Sequence, residues 1–214
     1  MDYNALRLKM VEEQISRRGI KNSRVLEVFR QVKREQFVPD NEKANAYNDC
    51  PLPIGLNQTI SQPYIVALMT EALQLIGKEK VLEIGTGSGF QTAVLANLAH
   101  SVYSIERLPE LAERAKKAVD GLGYTNIHFK TGDGSLGWED EAPFDRIIIT
   151  AAAPDVPEPL AEQLREGGRI VYPQGQLFHQ ALTVAVKEND ILKTEVLCGC
   201  VFVPLIGKYG IKNG

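Results

Sequence analysis

The sequence predicts an α/β fold, a doubly wound and mostly parallel sheet with an N-terminal helical cap and a C-terminal antiparallel extension. From residue 79 onward, short apolar runs alternate with helical stretches, which is typical of parallel strands joined by crossover helices. The first 35 residues have helical periodicity instead. After Gln180, strand-like stretches follow one another without a helix between them, so we expect them to extend one edge of the sheet.

The N-terminal cap begins with two predicted helices. The first runs from Asn4 to Arg18, and Gly19 ends it. The second begins at Ser23, which we expect to be its N-cap, and continues to Glu35. The apolar positions of both stretches share one side while charged residues occupy the other, so both helices are expected to pack on a core.

Residues 40–60 show no periodicity and are interrupted by Pro51, Pro53 and Gly55. A structureless stretch of this length within a compact domain usually has a function, so the pattern predicts a functional loop. Ser61 follows this loop and is placed to cap a third helix, which has Pro63 in its first turn.

The remaining elements follow in alternation and then as strands alone. The predicted parallel strands are Lys80–Ile84, Val102–Glu106, Ile127–Lys130, Asp145–Thr150 and Gly168–Tyr172, and the helices between them are Phe90–Ala99, Leu108–Gly121 and Val156–Arg165. The predicted antiparallel strands are Ala181–Val186, Leu192–Leu197 and Cys200–Pro204. We expect one domain over residues 1–207, with residues 1–60 as cap and loop, 79–175 as α/β core and 180–207 as extension. Residues 208–214 are expected to be a loose tail.

Composition narrows the class of protein. Of 214 residues, 44% are hydrophobic and 24% charged, which indicates an ordinary globular chain and excludes a disordered one. The formal net charge of -3 gives no bulk attraction to nucleic acid or to an anionic membrane, and we expect neither partner. Basic residues outnumber acidic ones in the first 35 positions. We interpret these charged residues as the solvated faces of the two helices.

Further features of the chain point to location and assembly. Its three cysteines and three histidines have no spacing that suits a metal, so we expect no metal site. The N-terminus has no apolar signal region, and no apolar run approaches the ~20 residues of a membrane span. We therefore expect a cytoplasmic protein, and a monomer.

The stretch Val81-Leu82-Glu83-Ile84-Gly85-Thr86-Gly87-Ser88-Gly89-Phe90 is the most informative of the sequence. A buried strand runs into three alternating glycines and then into a helix, where the backbone can approach a ligand closely. A dinucleotide site requires G-x-G-x-x-G/A, but Phe90 occupies the sixth position, so that pattern is broken. An acid in the strand followed by G-x-G-x-G resembles the methyltransferases that depend on S-adenosylmethionine (AdoMet).

Two acidic residues at later strand ends support a nucleoside site. Glu106 closes the next strand, where doubly wound folds place the carboxylate that binds ribose hydroxyls. Gly132-Asp133-Gly134 follows the third strand. Each residue also has a purely structural interpretation: the glycines as a tight turn, Glu106 as a solvated strand end, and Asp133 as the cap of a turn. The three signals at successive strand ends favour the nucleoside site.

At this point the chain is similar to one family, the protein-L-isoaspartate O-methyltransferases. The matching residues lie along nearly the whole chain: Arg7, Met10–Ile15, Phe37–Pro39, Ala46-Tyr47, Pro51–Gly55, Gln58–Pro63, Gly132–Gly134, Gly137-Trp138, Ala142–Asp145, Thr150–Ala152, Gln180 and Phe202–Leu205. Phe90 and Lys33 depart from the family's tyrosine and proline, and neither change touches the chemistry.

The resemblance implies a class I methyltransferase fold and the repair of damaged proteins. The family transfers a methyl group from AdoMet to the free α-carboxylate of L-isoaspartyl residues in proteins and peptides, and the ester then closes to a succinimide. The residues it places around AdoMet are Thr59, Ile60, Glu83, Gly85, Gly87, Ser88, Gly89, Glu106, Arg107, Asp133 and Gly134. Glu83 is expected to face the positively charged amino acid end of AdoMet, and Arg107 either lies over adenosine or is solvated.

The resemblance also marks Ser61 as the catalytic residue, and we expect Ile60 and Val203 to line the isoaspartyl cleft with it. The acceptor carboxylate is ionised at neutral pH, so it needs positioning and loss of water rather than a general base. A hydroxyl suits that role better than Lys or Arg, because a tight ion pair would weaken the nucleophile. Without the family motif, simple helix capping is the better interpretation of Ser61.

Three alternatives stay open. Another AdoMet-dependent methyltransferase of the same fold would act on a different acceptor, although the [ND]-P-P-[YFW] motif of base methyltransferases is absent after the fourth strand, at Ile149–Pro154. A non-catalytic AdoMet-binding domain would bind the donor without methylating a peptide. A nicotinamide oxidoreductase is disfavoured by Phe90. We further expect the terminal strand Val201–Leu205 either to pair with an extended acceptor by strand addition or to end buried.

Overall fold

The computed structural model describes residues 1–176 and 179–211. The α-helices of the described residues are α1 (Tyr3–Met10), α2 (Ser23–Gln31), α3 (Pro63–Ala72), α4 (Phe90–Ala96), α5 (Pro109–Asp120) and α6 (Glu158–Glu162). The strands are β1 (Leu52–Gly55), β2 (Gln58–Ile60), β3 (Lys80–Ile84), β4 (Ser101–Glu106), β5 (Ile127–Thr131), β6 (Phe144–Ile149), β7 (Leu164–Gln176), β8 (His179–Glu188) and β9 (Ile191–Cys200).

The main sheet confirms the predicted α/β class. Within the described residues it has seven strands in the order β5-β4-β3-β6-β7-β8-β9. The pairs from β5 to β7 are parallel, whereas β7, β8 and β9 pair antiparallel at one end. The strand order reverses at β3, which pairs with β4 on one side and β6 on the other. In folds of this kind, ligands bind at that reversal, outside the carboxyl ends of the strands.

Both faces of the sheet are covered by apolar clusters. Neighbouring side chains of β3 point to opposite faces, so Val81 joins the cluster that includes the N-terminal cap and Leu82 joins the cluster on the other face. Phe90, the first residue of α4, packs edge-on against Phe29 and Phe37 of the cap. The helix that follows the glycine turn is thereby fixed to the N-terminal region.

The helices of the cap differ from the prediction at their ends. After α1 the helix widens into a π-helical turn over Val11–Ile15 and continues as a 3-10 turn over Ser16–Arg18. The helical stretch ends at Gly19, as expected, where φ is 104°. The N-cap of α2 is Asn22 rather than Ser23, because the Asn22 carboxamide accepts hydrogen bonds from Arg24 and Val25. This helix ends at Gln31, since the next residue is extended.

The prediction of a structureless loop over residues 40–60 is wrong. Asp40–Asn45 forms a short 3-10 helix, and β1 and β2 form an antiparallel hairpin. Its turn residues, Leu56 and Asn57, both have positive φ. This geometry is that of a type I′ turn, whose twist matches the flanking strands and which asparagine tolerates. The hairpin holds Thr59 and Ile60 in defined positions just before α3.

Two more boundaries moved. The predicted helix Val156–Arg165 contains only α6, and β7 already begins at Leu164. The predicted strand Cys200–Pro204 is absent from the described residues, where β9 ends at Cys200 and only an isolated bridge joins Pro204 to Ala152. The chain leaves the sheet after Cys200, and the Phe202 N–H and carbonyl bond the Gln180 side chain instead of the backbone of a neighbouring strand.

The first part of the predicted loose tail has defined partners. The Lys208 N–H donates to Asp133 Oδ2 at 2.7 Å, and the Tyr209 N–H donates to Ser135 Oγ at 3.0 Å. Residues 208–211 therefore fold back onto the turn after β5, while residues 212–214 lie outside the described residues. Over the described ranges, no helix is long and apolar enough to cross a membrane, and no cluster of His, Cys, Asp or Glu is arranged to hold a metal.

Candidate functional site

A cavity of about 450 Å³ lies at the carboxyl ends of β3, β4 and β6, beside the hairpin. This is where the strand order reverses, and we call it the donor cavity. The predicted site residues that line it are Thr59, Ile60, Ser61, Gly85, Gly87, Ser88, Glu106, Arg107, Gly134 and Val203. Segments far apart in the chain therefore meet at one place.

The glycine turn forms the floor of the donor cavity. Gly85 has a φ of 94°, and a Cβ there would lie 2.4 Å from Thr150 Oγ1, so only glycine fits. The Thr150 hydroxyl lies within hydrogen-bond distance of both the Ile84 and Gly85 carbonyls, at 3.0 and 2.7 Å. The end of β6 thus holds the turn that leaves β3.

Glu106 presents a carboxylate to the donor cavity from the end of β4. One oxygen accepts the Gly87 N–H and the other accepts the Leu108 N–H, each at 2.9 Å. The side chain is buried apart from its cavity face. Because each carboxylate oxygen can accept two hydrogen bonds, both oxygens retain capacity for a ligand's hydroxyl groups.

The prediction missed the apolar walls of the cavity. They include the side chains of Val66, Met69, Ile84, Phe90, Ile105 and Leu108. Val66 and Met69 belong to α3, and their helical spacing is equally typical of an ordinary core helix. No local signal in the sequence distinguishes a cavity wall from a core position, since both require apolar side chains.

Glu83 does not line the donor cavity. It is fully buried beneath the glycine turn, where Glu83 Oε2 accepts hydrogen bonds from Thr92 and Ser104 at 2.6 Å each. Its other oxygen has no partner among the described residues. Burial raises the pKa of this carboxyl to about 7, against the two hydroxyl bonds, which lower it. The link to the cavity is indirect: Ser104 Oγ lies 2.6 Å from the hydroxyl of Thr86, which is a lining residue.

Gly89 and Asp133 also lie outside the cavity wall. Gly89 is the N-cap of α4, and a Cβ there would come within 3.3 Å of Val119 and Ala115, so this glycine permits close helix packing. Asp133 Oδ1 accepts from Ser135 N–H and Oγ, and Asp133 Oδ2 accepts from Lys208, so its carboxylate ties the tail to the turn. These bonds keep the pKa of Asp133 below its usual value.

A second cavity of about 250 Å³ adjoins the first, and we call it the acceptor cleft. It is lined by Pro51, Thr59, Ser61, Gln62, Ile65, Thr150, Gly199, Cys200, Val201, Phe202 and Val203. Four of these residues also line the donor cavity, namely Thr59, Ser61, Thr150 and Val203. The two spaces therefore adjoin at these four residues, which we call the shared wall.

Ser61 belongs to that shared wall, and it is not the helix cap. The N-cap of α3 is Gln62, and no side chain caps this end of the helix. The Ser61 hydroxyl makes no hydrogen bond to another residue in the part of the chain that the structure describes. The capping interpretation is therefore wrong, and the hydroxyl is left available to a ligand. Arg107 is exposed at the opposite rim of the donor cavity.

Comparison with known proteins shows which family has this sequence and architecture. The family model described as protein-L-isoaspartate(D-aspartate) O-methyltransferase matches residues 5–210. The chain is 56% identical over 211 residues to the protein-L-isoaspartate O-methyltransferase of Geobacter metallireducens, covering 98% of each chain. A solved structure titled protein-L-isoaspartate O-methyltransferase has a TM-score of 0.87 at 29% identity, covering 95% of this chain and 67% of the other.

A second solved structure shares the fold. It is a putative protein-L-isoaspartate O-methyltransferase from Plasmodium falciparum in complex with S-adenosyl-L-homocysteine, with a TM-score of 0.81 at 24% identity over 94% of this chain and 98% of that one. The family model and the Geobacter relative both extend over almost the full length of this sequence, including the hairpin, Ser61 and the C-terminal segment. This chain belongs to the protein-L-isoaspartate O-methyltransferase family.

Proposed function

We propose that the two adjoining cavities and Ser61 carry out the reaction of the family in this chain. The chain is an enzyme that transfers a methyl group from AdoMet to L-isoaspartyl residues of damaged proteins and peptides. In our proposal AdoMet occupies the donor cavity and the isoaspartyl residue occupies the acceptor cleft. The shared wall of Thr59, Ser61, Thr150 and Val203 carries this assignment, since methyl transfer requires donor and acceptor in contact.

The residues of the donor cavity fit AdoMet. The Glu106 carboxylate has room for two ribose hydroxyls, and the apolar walls suit a flat adenine ring. Part of the cavity is bordered by backbone and by small side chains, which allows AdoMet to approach the backbone closely. The residues concerned are Gly85, Gly87, Ser88 and Gly134. When bound, AdoMet supplies an electrophilic methyl group on a sulfonium, and no basic residue is needed to activate it.

The other predicted cofactor residues act from outside the wall. We propose that Glu83 supports Thr86 through Ser104, that Gly89 seats α4, and that Asp133 holds the loop that carries Gly134. Thr59 and Ile60 close the cavity from the hairpin, and Arg107 flanks its open rim.

Ser61 orients the acceptor in this mechanism. Its hydroxyl would donate a hydrogen bond to one oxygen of the isoaspartyl α-carboxylate and leave the other oxygen to attack where the two cavities adjoin. That oxygen would form a bond to the methyl carbon as the bond from this carbon to sulfur breaks, and S-adenosylhomocysteine would leave. The carboxylate is ionised at neutral pH, so the step requires no proton transfer. Ile60 lines the donor cavity but not the acceptor cleft, which differs from the prediction, whereas Val203 lines both. We propose that Val203 excludes water from the carboxylate and so raises its reactivity, and that Ile60 does the same from the donor side.

Strand addition is not open to the acceptor at Phe202. The Phe202 N–H and carbonyl are both bonded to the Gln180 carboxamide. On the other side of the segment, the Ala152 N–H donates to the Val203 carbonyl and the Leu205 N–H donates to the Ala152 carbonyl. We propose instead that the acceptor lies in the cleft against the side chains of this segment.

We further propose that the protein works as a monomer in the cytoplasm, with neither nucleic acid nor membrane as a partner. The net charge of -3 supports the absence of a polyanionic partner. Sedimentation velocity would test the monomer, and a concentration-dependent dimer would contradict it.

The decisive experiment for the proposed function uses AdoMet with a tritiated methyl group, an isoaspartyl hexapeptide and its twin with normal aspartate. We expect base-labile label on the isoaspartyl peptide alone. Label on both peptides would remove the acceptor specificity. If neither peptide is labelled while AdoMet still raises the melting temperature, the donor assignment stands and the acceptor assignment fails.

A further inference from the structure

The wall of the acceptor cleft formed by residues 199–203 is not part of a strand ladder beyond Cys200. In the last pair of β8 and β9 among the described residues, Gln180 lies opposite Cys200, and the chain then leaves the sheet. Five of the eleven lining residues of the cleft come from this segment. Some other interaction must hold it in place, because exposed segments without a ladder are free to move.

The Gln180 side chain provides that interaction. The Phe202 N–H donates to Gln180 Oε1 at 2.6 Å, and Gln180 Nε2 donates to the Phe202 carbonyl at 3.0 Å. The carboxamide thereby makes two hydrogen bonds to the Phe202 backbone. The backbone of a neighbouring strand would make such bonds if the ladder continued past the Gln180–Cys200 pair. Gln180 is itself 8% exposed, so its own position is set by the sheet. No charged or hydrophobic substitute can both donate and accept at these two atoms.

The other end of the segment has separate anchors. Beyond Phe202, the Ala152 backbone bonds Val203 and Leu205, and the turn after β5 bonds Lys208 and Tyr209. The residues that line the donor cavity, Val203 to Ile206, lie between these anchors. Loss of the Gln180 bonds would therefore release the acceptor wall and leave the donor wall attached.

We infer that Gln180 is a positioning residue for the acceptor, which sets acceptor affinity by holding Phe202 against the cleft. This inference rests on the proposed acceptor cleft. Gln180 lines neither cavity, and its effect is on the binding of one of the two substrates, the acceptor.

The chain offers a matched control in Gln163. This side chain is 7% exposed and clamps another loop in the same way: the Trp138 N–H donates to Gln163 Oε1 at 2.8 Å, and Gln163 Nε2 donates to the Leu136 carbonyl at 2.9 Å. Replacement of either glutamine by methionine keeps the size of the side chain and removes its two hydrogen bonds to the loop or segment that it clamps. The two variants should lose comparable stability, but only one touches the acceptor wall.

The experiment measures KM for the isoaspartyl hexapeptide, kcat, and Kd for AdoMet in the wild type, Gln180→Met and Gln163→Met. We expect Gln180→Met to raise the peptide KM about tenfold, with a smaller change in kcat and an AdoMet Kd within about twofold of the wild type, the scale of losing one or two net hydrogen bonds. Gln163→Met should leave the peptide KM at the wild-type value.

Other outcomes have distinct meanings. An unchanged peptide KM in a folded Gln180→Met would overturn the inference, as would an equal rise in both variants. If Gln180→Met does not fold, Gln180→Glu serves instead. Its carboxylate still accepts from the Phe202 N–H, but its second oxygen faces the Phe202 carbonyl and repels it. The same split between peptide KM and AdoMet Kd is expected. A wild type that methylates no isoaspartyl peptide would refute the proposed function instead, before either variant is compared.

Discussion

The donor cavity and the acceptor cleft share a wall but are built in different ways. Much of the donor cavity comes from turns that directly follow β3, β4 and β5, and each turn carries its own local signal of glycine or acid. The acceptor cleft comes from the hairpin, the start of α3, the end of β6 and the segment after β9, which are separated by up to about 150 residues in the chain. The comparison teaches that a site made of successive loops can be inferred from local patterns, whereas a site made of distant segments cannot.

The largest expected effect is that of Ser61→Ala, which separates the two sites. Loss of the hydroxyl donor should lower kcat by about 10²–10³-fold, the usual cost of removing one such hydrogen bond from a reacting centre. The AdoMet Kd should remain near the wild-type value, because the Ser61 hydroxyl has no bond that holds the donor cavity together in the described chain. Steady-state kinetics with equilibrium binding would measure both.

Ser61→Thr is the companion variant, since it retains a hydroxyl at the same position. It should recover part of the turnover. Equal losses of turnover and AdoMet binding in Ser61→Ala would mean that Ser61 supports the fold rather than the reaction.

Glu106→Gln tests the donor side alone. A glutamine side chain has one accepting oxygen, so either Gly87 N–H or Leu108 N–H faces an amide group. The charge that we propose binds the ribose hydroxyls is lost as well. We expect the AdoMet Kd to rise about 10–100-fold, with little change in the peptide KM. Glu110→Gln, at an exposed position in the first turn of α5, is the control and should leave the AdoMet Kd unchanged. A rise in peptide KM as large as that in the AdoMet Kd would contradict the separation.

Two glycines of one loop give a finer test of the donor wall. A Cβ on Gly134 would lie 2.5 Å from Cγ2 of Ile84, a buried cavity residue, whereas a Cβ on Gly132 would meet nothing within 4 Å. Gly134→Ala should therefore lower the free energy of unfolding by about 1–3 kcal/mol and weaken AdoMet binding. Gly132→Ala should stay close to the wild type in both. Urea unfolding measures the free energy of unfolding, and calorimetry measures AdoMet binding. If the two variants behave alike, the Ile84 side chain moves away from the added Cβ with no loss of stability.

Glu83 should make the stability of the protein depend on pH, without a direct effect on either cavity. The native pKa is raised to about 7 from an ordinary value of 4.5, so between these values the native state holds a proton that the unfolded state has released. Stability is then greatest at low pH and is lost as the pH rises through 7. The contribution between pH 5 and 7 should be about 2 kcal/mol.

Glu83→Gln removes the titrating group and keeps its shape. The variant should unfold in urea with a flatter dependence on pH than the wild type over the range from about 5 to 8. The same slope in both proteins would show that Glu83 is ionised in the folded state throughout.

The sequence by itself determined the α/β class, the parallel core and the glycine turn at the end of β3. The alternation of apolar runs and helices reports which elements form, and positive φ at Gly85 is a property of one residue and its neighbours. It also placed Glu106 at the end of β4, since a strand end can be located from local pattern alone. The family resemblance added the proposed catalytic role of Ser61, whereas the local pattern alone had favoured helix capping.

Only the tertiary structure decided the rest. Asn22 replaced Ser23 as a cap, Leu56 and Asn57 turned a predicted loop into a hairpin, and the segment after Cys200 left the sheet for Gln180 and Ala152. The cap and the hairpin turn are choices between neighbouring residues that local propensity did not resolve. The path of the segment after Cys200 depends on which distant groups come within hydrogen-bond reach, and local propensity holds no information on that. For the same reason the apolar walls, the burial of Glu83 and the junction of the two cavities at Ser61 followed from packing, because a side chain's role there depends on neighbours that folding alone brings together.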